Sequence, residues 1–311
     1  MIESEEGGYS VAILMCTYNG ASYLQAQLDS IESQKYRNWH IYVSDDGSHD
    51  STQSILQAFH AKTKRLCILQ GPGRGGCQNF LSLICNRSIK ADYYALSDQD
   101  DIWCEDKLLR AVAALSGISR EIPALYCSRT KLIDEENKEI GLSPLFVRIP
   151  GFRNALVQNI AGGNTMVFNH ATRRLMLQVS SSIDPVVHDW FLYMVVSGCG
   201  GSVIYDPVPS LRYRQHAANL IGAHLGVGPY FKRLNRMLFG VHRRWNTHNI
   251  EALSGLCEKL TPENRSIYDE FSRFRNASLW NRLTGLYRTG LYRQTFSGNI
   301  TLWLAALFKR L

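Results

Sequence analysis

At 311 residues, with 45% hydrophobic and 20% charged side chains, the chain has the composition of a folded protein with one large domain and an appendage, which excludes disorder. Eight cysteines without a CxxC pair or a histidine at zinc-finger spacing exclude a structural zinc site and a disulfide framework, and buried thiols in a reducing compartment are expected. The net charge of +7 is uneven, because residues 229–311 carry 14 Lys/Arg against 5 Asp/Glu and the preceding residues carry 20 against 22.

The acidic N-terminus and the short apolar run Val11 to Cys16 do not form a signal peptide, so a chain that is not secreted is expected. No stretch reaches the roughly 18 apolar residues a bilayer span needs, which leaves peripheral membrane contact. The run at 10–16 predicts a strand, TYNG a loop, and Leu24, Leu28 and Ile31 the apolar face of a helix over 21–33. The same unit repeats. His40 to Ser44 is strand-like, DDGS turns, and Ile55, Leu56 and Phe59 mark a second helix. Leu66 to Leu69, a glycine-rich loop (GPGRGG) and a helix with Phe80, Leu81 and Ile84 follow. A fourth strand, Tyr93 to Leu96, runs into SDQDDIW. Such repeats predict an α/β fold with a mainly parallel central sheet flanked by helices, an architecture that binds nucleotides. Pro123 to Cys127 is another strand candidate, and the chain then shows no periodicity until about Val157. GGN and TMVF come next, then helices over 170–179 and from His188. Residues 229–250 and 266–311 read as basic, aromatic-bearing helices. The boundary near Gly228 predicts a catalytic domain over 1–228 and a helical, membrane-associating extension over 229–311.

In open parallel sheets, ligands bind beyond the carboxyl ends of the strands. Thr17 and Asn19 follow the first strand, Asp45 and Asp46 the second, and Asp98, Gln99, Asp100 and Asp101 the fourth. Singly these are also turn formers and helix caps. Three carboxylates in four residues repel one another unless a cation compensates, and magnesium or manganese binds carboxylate together with phosphate oxygens. An exposed acidic helix start is the alternative. Asp189, opening an apolar helix beside Trp190, suits a general base whose basicity is raised by desolvation, or else an N-cap. Arg212, Arg214 and His216 gather groups for a diphosphate or a metal, or lie on a solvated strand.

Taken together and in order, VAILMCTYNGASYLQAQLDSI, IYVSDDGSHDST, GCQNFLSLI, YYALSDQDDIW, GGNTMVFN, HDWFLY and YRQHAANLIG resemble glycosyltransferase family 2, the inverting transferases of GT-A fold, over residues 9–222. SDQDDIW, HDW and YRQH look like its rhamnosyltransferase-like branch. The resemblance implies a nucleoside pocket of Thr17, Tyr18, Asn19 and Asp45, with Asp45 toward the pyrimidine base and Asp46 beside it. It implies a DxD motif in which Asp98 faces the ribose or donor sugar and Asp100 binds Mg2+ or Mn2+. Asp101 matches an extra acid without an assigned role. Asp189 is implied as catalytic base and His216 as a further metal or diphosphate contact, with Gln99, Asn79 and Arg214 toward the donor. GPGRGGCQNF departs from the family's simpler Asn-x-Gly pattern, which leaves Arg74, Gly75 and Asn79 without a fixed role. The implied activity is transfer of a sugar, L-rhamnose from its dTDP donor or a hexose from UDP, to a glycan or polyprenyl-diphosphate-linked acceptor for bacterial surface polysaccharide. A catalytically idle nucleotide-sugar binder is the rival.

Tyr230, Phe231, Leu234, Met237 and Leu238 form a helical stripe beside Lys232, Arg233 and Arg236, which suits a lipid interface at the inner face of the plasma membrane or docking on the catalytic domain. No nucleic-acid-binding module is evident.

Overall fold

The computed structural model describes residues 8–179, 183–216 and 241–311. The stripe at 230–238 and the end of the YRQHAANLIG segment lie outside the described residues. A seven-stranded sheet runs in the order β10-β6-β9-β4-β1-β2-β3. It comprises β1 (Val11–Thr17), β2 (Trp39–Asp45), β3 (Leu66–Gln70), β4 (Tyr93–Ser97), β6 (Ala124–Ser128), β9 (Val167–Asn169) and β10 (Ser202–Asp206). All its pairings are parallel except the two made by β9. A smaller sheet, β5-β11-β7-β8, joins β5 (Ile102–Trp103), β7 (Lys131–Ile133), β8 (Glu139–Leu142) and β11 (Leu211–Arg214). β7 and β8 fall in the stretch expected to be irregular; they are three and four residues long, and β8 is mostly exposed, so neither carries an alternating apolar signal.

The main sheet separates two cores, and β1 shows why. Val11, Ile13 and Met15 point to one face, and Ala12, Leu14 and Cys16 to the other, as the two-residue period of a strand requires. The first face is covered by α1 (Ala21–Glu32), α2 (Thr52–Thr63) and α4 (Lys107–Ser116), through Leu24, Leu28, Leu56, Phe59, Leu108 and Leu115. The second is covered by α3 (Gly76–Ile84), α5 (Phe152–Ala155), α6 (His170–Met176) and α7 (His188–Gly198). Four C-terminal helices extend that second core: α8 (Val241–Ser254), α9 (Pro262–Phe274), α10 (Leu279–Thr289) and α11 (Phe296–Leu307). Leu253, Leu256, Phe271, Leu286 and Leu302 are at most 1% exposed and share one cluster with Phe191 and Leu192 of α7. Residues 241–311 therefore pack against α5 and α7 and join the second core through a continuous apolar cluster. Among the described residues no helix is long and apolar enough to cross a membrane.

Two features of this topology position the site. β1 has β2 on one side and β4 on the other, so the strand order reverses at β1 and opens a crevice at the carboxyl ends of β1 and β4. Because β9 runs antiparallel, the turn that precedes it, Gly163–Thr165, stands over that same edge.

Candidate active site

The first wall of the crevice is the end of β1 against the end of β2. Asp45 is 4% exposed and accepts hydrogen bonds from Thr17 Oγ1 (2.7 Å), Ser48 Oγ (2.6 Å) and Ser48 N (2.9 Å). Burial pushes its carboxyl pKa up, but the bonds from Ser48, Thr17 and Gln53 outweigh burial and hold it below the ordinary carboxylate range. Those donors occupy its lone pairs, so contact with a nucleobase would replace one of them. Asn19 is held at φ +47° by Ser48 Oγ on its N–H and by its own Oδ1 on His49 N, a left-handed turn that asparagine tolerates. Tyr18 is clamped by its backbone to Gln99, whose Oε1 accepts from Tyr18 N (2.8 Å) and whose Nε2 donates to Tyr18 O (3.0 Å). The clamp leaves the Tyr18 ring 56% exposed, available to stack on a base. A Cβ on Gly20 would lie 2.2 Å from Gln99 Oε1, so a side chain there would push the Gln99 amide off its clamp.

Asp46 braces the glycine-rich loop by accepting from Gly73 N (2.7 Å) and Gly75 N (2.8 Å). Asn79 was expected to touch the donor and does not face the crevice. It is 1% exposed and donates to Ser44 O (2.9 Å), tying α3 to β2.

The second wall is the DQDD run after β4. Its members diverge in role. Asp101 is fully buried, accepts from Asn164 Nδ2 (2.6 Å) and Arg214 N (3.3 Å), and is pushed well above the ordinary range by burial and by Asp100 and Asp98. Buried Lys107 donates to Asn164 O (2.8 Å), and its ammonium lies 4.6 Å from the Trp103 ring centroid. Burial lowers the lysine pKa to about 7 against the opposing pull of Asp101. Asp101 is thus a strut between β4, the 163–165 turn and β11. Asp98 and Asp100 face the crevice, each part-buried. Burial, Asp100 and Asp189 together raise Asp98 to about 8.

Pairing of β5 with β11 carries the chain past Arg214 to His216, whose Nε2 lies 2.8 Å from Asp100 Oδ2. The His216 ring also stacks on Tyr23 at 5.5 Å. Arg214 corrects a second expectation. Instead of reaching a diphosphate it is 1% exposed, donates to the carbonyls of Asp100, Asp134 and Glu135, and lies 4.4 Å over Tyr23. It fixes the backbone of the acidic run.

The third wall is the start of α7. Asp189 accepts from Gly163 N (2.9 Å) and Trp190 N (2.6 Å). Burial raises its pKa to about 6 although these bonds and Asn159 pull it down. Asp189 and Asp101 are tied to adjacent residues of one turn, Gly163 and Asn164, and the Asp189 carboxylate is near enough to Asp98 to raise its pKa. His188, beside Asp189 in the chain, is stacked on Phe80 at 4.0 Å, lowered to about 3 by burial, and its buried Nε2 has no partner among the described residues.

Among the described residues no group of three or more His, Cys, Asp or Glu is close enough to hold a metal alone. The Asp100 carboxylate nevertheless fits magnesium or manganese, which commonly take their remaining ligands from substrate phosphate and water, and the His216 imidazole beside it adds a nitrogen donor that suits manganese better than magnesium. Asn164, Ser48 and Tyr23 lie within the quoted motifs but were given no role there, and Lys107 lies outside them, marked only as a lysine on the apolar face with Leu108, Ala111, Val112 and Leu115.

Residues 12–179 match the profile of Glycosyl transferase family 2. The chain is 30% identical over 255 residues to the dTDP-rhamnosyl transferase RfbG of Shigella flexneri, a match covering 77% of this chain and 84% of that protein. Among solved structures it is similar to S. aureus TarS 1-349 in complex with UDP-GlcNAc, with TM-score 0.57, 12% identity, and coverage of 96% of this chain and 90% of that one. It is also similar to the mannosyltransferase PcManGT of Pyrobaculum calidifontis in complex with GDP-Man and Mn2+, with TM-score 0.52, 16% identity, and coverage of 98% and 86%. At those identities the two structural likenesses are likenesses of fold.

Proposed function

The chain belongs to glycosyl transferase family 2 and adopts the GT-A fold, and from that premise we propose that this glycosyltransferase is an inverting, metal-dependent enzyme. Its donor is dTDP-L-rhamnose. Its acceptor is a glycan or a polyprenyl-diphosphate-linked glycan for bacterial surface polysaccharide, met at the inner face of the plasma membrane. The donor assignment is supported by the likeness to a dTDP-rhamnosyl transferase over most of both chains.

The observation that carries the reading is Asp189. It is a part-buried carboxylate raised to about 6, anchored by two backbone N–H groups and near enough to Asp98 to raise that carboxyl in turn. A base at that pKa is ionised at neutral pH and still basic enough to accept a proton. As the acceptor oxygen attacks the anomeric carbon, Asp189 takes its proton, while the bond from that carbon to the diphosphate breaks on the opposite face. A single displacement inverts the anomeric centre. Tyr18 and the Asp45 loop bind the nucleoside, and Asp98 orients the ribose or donor sugar. Asp100 and His216 would hold the divalent metal, which when bound neutralises charge on the departing nucleoside diphosphate. PcManGT with its Mn2+ supports that assignment by analogy of fold.

The test is a panel of dTDP- and UDP-sugars with manganese, magnesium or EDTA, reading release of nucleoside diphosphate. Release from dTDP-L-rhamnose that EDTA abolishes is expected. Release from a UDP-hexose instead would replace the donor, and neither binding nor release with any donor would remove the transferase reading.

A further inference from the structure

The C-terminal helices bury one side well and leave the other strongly apolar in water. On α11, Leu302, Ala305 and Ala306 face the core, while Phe296 (83% exposed), Ile300 (46%), Trp303 (42%) and Leu307 (40%) repeat along the opposite side. A helix apolar on both sides is ordinarily buried on both. α10 adds Trp280 and Tyr287, at 75% and 79% exposure. Between the two helices lies a groove of about 450 Å³, lined by Leu283, Ile300, Trp303, Leu304 and Leu307 with Asn299 at its polar edge.

The exposed surface continues onto a separate part of the chain. Val147 and Ile149 are 80% and 84% exposed. Their loop is tied to the α10–α11 connection by Arg148 N to Gln294 Oε1 (3.1 Å), by Tyr292 Oη to Ile149 O (2.5 Å), and by the Arg148 guanidinium 3.9 Å over the Tyr292 ring. Isolated exposed apolar residues need no explanation, whereas a contiguous set rich in Trp, Tyr and Phe marks an interaction surface. Charge identifies the partner. Residues 271–311 contain no Asp or Glu; of their seven Lys/Arg, Arg275 and Arg282 are buried on backbone carbonyls, while Arg288 of α10 and Lys309 just beyond α11 are exposed. Two copies of such a face would repel one another, whereas an anionic bilayer satisfies both the apolar tips and the cations.

We propose that α10, α11 and the 147–149 loop form the surface on which the enzyme lies in an anionic lipid interface. The proposal rests on the membrane reading above and names its surface. Geometry also links it to catalysis: Gln158 Oε1 accepts from Gln294 N (2.7 Å), and the next residue, Asn159, bonds Asp189.

The test is flotation of the full chain with vesicles of phosphatidylcholine alone or mixed with phosphatidylglycerol, with tryptophan fluorescence as a second readout. Flotation with the anionic vesicles, weakened by salt and nearly absent with the neutral ones, is expected. Phe296→Ser with Trp303→Ser should lower partitioning by roughly tenfold or more, in line with the loss of buried apolar area. Val147→Ser with Ile149→Ser, in a loop outside the core, should lower it as well and guards against misfolding of the first variant. Both variants should keep wild-type donor release. Failure of the wild type to float, or variants that float as well as the wild type, would overturn the proposal. So would light scattering that finds a dimer dissociated by the stripe substitutions, which assigns the face to a second copy. Flotation uses no donor, so loss of the transferase reading would leave its outcome unchanged.

Discussion

At the scale of single residues, Asp189 is raised by burial and restrained by backbone N–H groups, which sets the pH range in which it can act. A base works only when ionised, so an elevated pKa moves the acid limb of activity upward. Log kcat/KM should climb with unit slope below pH 6 and level off above it, rather than breaking near 4 as an exposed carboxylate would give; a pH–rate profile checks this. Gly163 is the second sensitive position. A Cβ there would lie 2.5 Å from His188 Nε2 and 3.4 Å from Asp189 Cβ, so Gly163→Ala should displace the base and lower kcat by about tenfold or more, with donor Kd from calorimetry little changed. The acids of the site were legible in the sequence because clustered charge at strand ends is conspicuous. Asn164, Lys107 and the positioning roles of Asn79 and Arg214 were not. Sequence shows that a side chain is polar but not that tertiary packing has enclosed it.

At the scale of elements, the repeated strand–helix units were legible because short apolar-rich runs alternate with helical stripes, most plainly β1 followed by Leu24, Leu28 and Ile31. The small sheet was hidden, since β5 has two residues and β11 four, yet their pairing delivers His216 to Asp100. Reversal of β9 was equally unreadable, because VFN has no feature that fixes strand direction. In the C-terminal region, α9 and α10 meet where a Cβ on Gly285 would lie 2.4 Å from Phe274 Cγ. Gly285→Ala should therefore destabilise the fold by about 1–3 kcal/mol despite its better helix propensity, as measured by denaturant unfolding.

At the scale of the whole molecule, the C-terminal helices serve both the interior and the surface. Their inner faces complete the core beneath α7, so removal of residues 241–311 should leave a chain that binds a hydrophobic dye and lacks a cooperative unfolding transition, instead of a smaller active enzyme. The division near Gly228 follows charge, and packing crosses it. Charge is readable from composition; a shared core is not.

The most direct test of the account compares Asp189→Asn with the wild type, measuring donor affinity by calorimetry and turnover to acceptor in the same preparations, with manganese and the donor that the panel selects. Asp189→Asn should bind the donor with nearly unchanged Kd and transfer it about a hundredfold to ten-thousandfold more slowly, the range expected for loss of a general base. Turnover within a few-fold of wild type, at equal affinity, would contradict the assignment of Asp189 as the base and with it the mechanism proposed for this site.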